Sequence, residues 1–122
     1  MNLTEWHYMT PQSAKAKGRK LQKWFRQRLI DTLKLHPDDV ESRSMGAGGE
    51  DIMLSAKARN MFPYSVECKN QESLNVWKAF EQAEYNSGVY QPLLIIKRNR
   101  KEPLAVVEAN HFIELIDHTK EV

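Results

Sequence analysis

The chain has 122 residues, 41% apolar and 28% charged, with a formal net charge of +2. That length fits one compact domain with a single core, and the balance suits a folded chain rather than a disordered one. No run approaches the roughly 20 apolar residues that span a bilayer, and MNLTEWHYMTPQSAKAKGRK has no apolar signal core. The single Cys68 has no partner for a disulfide or a cysteine zinc site. A cytoplasmic protein without structural zinc is expected, neither secreted nor bound to a membrane.

Residues 1–12 show no periodicity and read as an N-terminal extension, although Trp6, Tyr8 and Met9 are too apolar for a purely solvated tail. The domain proper is expected over 13–122. From about Ser13 the chain predicts a helix, with Leu21, Trp24, Phe25, Leu29 and Leu33 at three- and four-residue steps, ending before His36-Pro37. Its other side is basic: Lys15, Lys17, Arg19, Lys20, Lys23, Arg26 and Arg28 occur without an acidic residue between them. Seven like charges repel one another unless a polyanion is bound, so nucleic acid is the expected partner. Lys97, Arg98, Arg100 and Lys101 form a second cluster that the fold could bring alongside the first.

After the turn Pro37-Asp38-Asp39, a strand is predicted from Val40 to Ser44, a flexible turn over Met45-Gly46-Ala47-Gly48-Gly49, and a second strand from Asp51 to Leu54. Residues 55–63 read as a connection. Tyr64 to Lys69 is a third strand, whose alternation puts Glu67 and Lys69 on one face and Val66 and Cys68 on the other. A helix follows from Leu74 to about Ser87, stopped by Gly88. Pro92 to Lys97 has the continuous apolar run of a central strand covered on both faces. A hairpin then leads to a last strand, Leu104 to Glu108, and Asn110 is placed to cap a short helix, His111 to Ile116. Trp24, Phe25, Trp77 and Phe80 read as core, and Gln82 as a surface amide that could instead face the site. The order of elements predicts an α/β fold, a mixed sheet flanked by helices.

The chemistry concentrates in Asp51, Glu67 and Lys69. Magnesium takes hard oxygen ligands and keeps some of its waters, so phosphodiester cleavage needs one or two carboxylates converging from rigid elements. Asp51 at the start of one strand and Glu67 within the next can meet if those strands are neighbours, with the Cys68 backbone carbonyl as a third ligand. Lys69 projects from the Glu67 face, where it can orient or help deprotonate water and stabilise developing negative charge. Glu50 is the second choice to Asp51, because alternation points it the other way. Cys68 reads as a small buried residue rather than a nucleophile.

These residues resemble the PD-(D/E)xK nucleases and, among them, archaeal-type Holliday-junction resolvases, some of them phage-encoded. The matching blocks are Lys17-Gly18 with its helix, Arg43-Ser44-Met45-Gly46 running to Asp51-Ile52, Val66-Glu67-Cys68-Lys69, and Pro92 to Lys97. They span about residues 15–108, in the family's order. The resemblance implies a restriction-endonuclease-like αβββαβ core, magnesium with manganese able to substitute, a homodimer, and cleavage of branched DNA in recombination, repair or phage genome processing. It assigns Asp51 and Glu67 to the metal, Lys69 to catalysis, Arg43 to the scissile region and Lys97 to DNA. Lys17, Arg19, Lys20, Lys23, Ser44 and Arg98 are the further DNA contacts expected. One departure stands out: the acidic residue that such resolvases carry on the first helix falls at Gln22, which can hold a ligand by hydrogen bonds but brings no charge. A less selective nicking, repair or restriction-like nuclease and a catalytically silent nucleic-acid-binding module are the alternatives.

Overall fold

A computed structural model describes residues 11–43, 48–117 and 119. Expectations for Trp6, Tyr8, Met9, Ser44, Met45, Gly46 and Ala47 fall outside these residues. The first helix, α1 (Pro11–Leu33), begins two residues before the predicted start, inside the stretch read as an extension. Leu21 and Leu29 are buried and Phe25, Ile30 and Leu33 pack at their margin, which explains why this face was periodic. The helix ends with Lys34 in the left-handed region at φ 58°, and His36 takes the extended geometry that a residue before proline prefers. Arg26 then latches the helix to the turn by donating to the Pro37 carbonyl at 2.9 Å and to the Val40 carbonyl.

β1 (Val40–Ser42) and β2 (Ile52–Leu54) form an antiparallel hairpin in which Val40 faces Leu54 and Ser42 faces Ile52. Val40 and Ile52 are fully buried and fix the register, because a slip by one residue would turn both to solvent. The predicted connection over 55–63 instead contains a helix, α2 (Ala56–Met61). Its signal was the Ser55 hydroxyl, which accepts from the Ala58 N–H at 3.1 Å as an N-cap.

β3 (Tyr64–Asn70) and β4 (Gln91–Lys97) run parallel, with Glu67 opposite Leu94, and are joined through α3 (Val76–Asn86). β5 (Leu104–Val106) adds antiparallel to β4, giving the order β3-β4-β5. As predicted, β4 is covered on both sides. Leu93 and Ile95 join Val66, Cys68, Leu21 and Leu29 in one cluster, while Leu94 packs with Ala79 and Phe80 of α3 in another. The fold is therefore mixed α/β, with α1 on one face of the three-stranded sheet and α3 on the other. Gly88 sits just beyond α3 at φ 57°, the stop its position predicted.

Four further expectations need correction. Trp24 is 44% and Trp77 84% exposed, so only the Phe25 and Phe80 members of the aromatic set pack into the core. The last helix, α4 (Ala109–Ile116), starts after Glu108 without a side-chain cap, so Asn110 lies within it rather than ahead of it. The last strand stops at Val106, and β1 stops at Ser42.

Candidate active site

The sheet places the site through a single backbone contact. β2 does not form a ladder with β3; the Asp51 N–H donates to the Val66 carbonyl at 2.8 Å just before β2 begins. Asp51 then turns its side chain along the β3 edge, where Oδ2 accepts the Cys68 N–H at 2.7 Å. A carboxylate thus occupies a position that a neighbouring strand's carbonyl would otherwise fill.

Glu67 and Lys69 share one face of β3, as alternation required, and Lys69 Nζ lies 3.8 Å from Glu67 Oε1. The Glu67 side chain is only 5% exposed, and Asn86 at the end of α3 donates to its Oε2 at 3.5 Å. Burial, reinforced by the Asp51 charge, raises the Glu67 carboxyl to about 7 despite Lys69 and Asn86. Burial also raises the Asp51 carboxyl, opposed in turn by the Cys68 N–H, Lys69, Arg43 and Gln22. The Cys68 thiol is pushed well up by burial and by both carboxylates, which keeps it a neutral core group.

Gln22 is 2% exposed and approaches from α1. It accepts from the Ser42 hydroxyl at 2.8 Å and hydrogen-bonds the Asp51 carboxylate, so it ties the hairpin to the carboxylate. These residues open into a cleft of 440 Å³ that also takes in Gly49, Gln82 and Tyr85. Gln82 is both exposed and on the cleft wall, so its two sequence readings are compatible. Asn86 and Tyr85 were not anticipated; their spacing from Gln82, three and four residues on α3, was the available signal.

Glu50 faces away, as alternation suggested, and forms an ion pair with Arg59 on α2. Arg43 lies beside Gly49 and donates from Nε to the Glu50 carbonyl at 2.6 Å, bracing the turn behind Asp51. Its charge still reaches Asp51.

The two basic clusters do converge. Lys17 and Lys20 of α1 share a groove with Lys97, Arg100 and Lys101 of the β4–β5 hairpin. Lys97 donates to the Arg98 and Lys101 carbonyls at 3.1 and 3.0 Å, so it shapes the hairpin turn. Arg98 lines a different depression, with Leu74 and with Val76 at the start of α3. Arg19 and Lys23 are exposed on α1, outside the groove.

The donor set suits a hard divalent cation. Two carboxylates are held together under burial, which raises both, and the Asp51 charge adds to the rise at Glu67. Among the described residues no group of three or more His, Cys, Asp and Glu side chains gathers, so any such ion would rely on Asp51 and Glu67 together with backbone, water or phosphate oxygens. No helix among the described residues is long and apolar enough to cross a membrane. Comparison with family models, curated proteins and solved structures found no match.

Proposed function

We propose that this protein is a metal-dependent DNA endonuclease of the PD-(D/E)xK, restriction-endonuclease-like type, acting on branched DNA as a homodimer. The observation that carries the chemistry is the convergence of Asp51, Glu67 and Lys69 in one cleft. Asp51 and Glu67, with the Cys68 carbonyl, would hold magnesium or manganese, which supplies Lewis acidity and charge neutralisation at the scissile phosphate. Lys69 orients the attacking water and stabilises the negative charge that develops on phosphate oxygens. Gln22 fixes the Asp51 carboxylate, and the converging basic side chains draw the DNA backbone toward the cleft.

Preference for a four-way junction rests on the resemblance of the motif blocks. The described residues form one such cleft, so paired cuts call for two copies, and the exposed Phe112, Ile113, Leu115 and Ile116 of α4 offer apolar surface for pairing. The test is cleavage of labelled four-way junctions and linear duplex with magnesium, using Asp51→Ala as the control. Junction-selective cutting lost in the control supports the proposal; equal or absent cutting of the junction rejects its substrate.

One observation favours a second reading, a binding module without activity: Gln22 is buried where the resemblance puts an acid, leaving two carboxylates for the metal. Under that reading the unmodified protein binds the junction and cuts nothing with either magnesium or manganese.

A further inference from the structure

The groove between α1 and the β4–β5 hairpin has features that the cleavage chemistry does not use. Its volume is 580 Å³, larger than the cleft holding Asp51. Among the described residues that line it, five are basic and Glu102 is the one acidic member. Lys17, Lys20 and Trp24 follow one another at helical steps, so the indole stands on the same stripe of α1 as the two ammonium groups. Trp24 is 44% exposed, a large aromatic surface left in contact with water beside positive charge.

Asn70 adds an independent observation. Its Nδ2 donates to the Lys17 carbonyl at 3.1 Å, which fixes the amide, while its Oδ1 is buried and has no hydrogen-bond partner. The groove also adjoins the cleft: Lys69 lines one and Asn70, the next residue, lines the other. Both lie at the carboxyl ends of parallel strands, where open α/β sheets place their ligands.

Phosphates explain the cations but not the indole. A base within a duplex presents only its edges to a protein, so an indole can stack only on a base that has left the helix. We infer that this groove binds an unpaired stretch of DNA strand next to the cleavage site. Trp24 stacks on one base, and Lys20, Arg100 and Lys101 meet the flanking phosphates. The nuclease reading enters only in placing this strand beside a cutting site; the binding is separable from it.

The experiment measures anisotropy of dye-labelled thymidine oligonucleotides, abasic oligonucleotides and blunt duplex, with chelator present so that nothing is cut. Trp24→Ala is expected to weaken the thymidine strand by about 5- to 150-fold, the equivalent of roughly 1–3 kcal/mol, with duplex and abasic affinities unchanged. Equal losses on all three ligands, or none, would overturn the inference. Intrinsic fluorescence of the Trp6→Phe/Trp77→Phe protein reads the native Trp24 directly, independently of whether Trp24→Ala folds. Quenching by thymidine strands and not by abasic ones supports stacking, and its absence refutes it. A uridine strand bound in preference to thymidine would assign the groove to RNA and overturn the DNA assignment. Loss of cutting in Lys69→Ala with Trp24-dependent strand binding intact separates this site from the nuclease chemistry. If wild type cuts nothing yet keeps that binding, the nuclease reading fails alone.

Discussion

The Asp51 carboxylate and the Cys68 backbone N–H, 2.7 Å apart, join two parts of the chain that do not otherwise form a sheet ladder. Cys68 lies between Glu67 and Lys69, so the bond that secures Asp51 also sets its distance from both partners. On the proposed function the position serves folding and chemistry together, and substitutions there separate the two roles. Asp51→Ala leaves a buried N–H without a partner and should cost about 1–3 kcal/mol in denaturant unfolding, whereas Asp51→Asn retains an acceptor and should cost less. Both should abolish metal-dependent cleavage. Cutting that survives in both variants would remove Asp51 from the site.

Lys69→Ala should leave junction affinity nearly unchanged in a gel-shift assay and slow cleavage by about 10²- to 10⁴-fold. The side chain is 24% exposed at the cleft and is not a core residue, so thermal stability should change little.

The Glu67 carboxyl, about 7 when folded against an ordinary 4.5, sets a pH dependence for the metal-free protein. The folded state holds this proton more tightly than the unfolded state, so the stabilisation is complete below 4.5 and is lost as pH rises through about 7. Melting in chelator should therefore show stability falling by up to about 3 kcal/mol across that window, and Glu67→Gln should flatten the slope. Because the Asp51 charge is the second cause of the rise, Asp51→Asn should lower the Glu67 value in a carboxyl titration followed by NMR.

Gln22→Glu would place a third carboxylate beside Asp51. Calorimetric titration with manganese should show tighter binding than in the unmodified protein, while the metal-free variant melts lower because like charges are confined under burial. Unchanged affinity and melting would show that residue 22 has no electrostatic influence on the pair.

The exposed α4 residues give the pairing prediction. Phe112→Glu with Ile116→Glu should convert a dimer to monomer in sedimentation without lowering the melting temperature of the monomer, since both side chains are more than half exposed. A monomeric unmodified protein would remove pairing through α4.

Local chemistry determined much of this protein in advance. Period 3.6 marked the buried face of α1, period two put Glu67 beside Lys69, the apolar run of β4 announced burial on both sides, and Gly88 marked the end of α3. These signals are readable because each follows from the geometry of one element. The Ser55 cap was equally local but passed unread, leaving α2 as a connection. Tertiary structure decided the rest, because side chains distant in sequence gain their environments only when elements pack. It turned Trp24 and Trp77 outward, brought Lys17 and Lys20 to the hairpin carrying Arg100 and Lys101, and joined Asn86 to Glu67. It also decided the electrostatics: Asp51 and Glu67 are ordinary carboxylates in the sequence, and shared burial raises both, against the Cys68 N–H that favours the Asp51 anion.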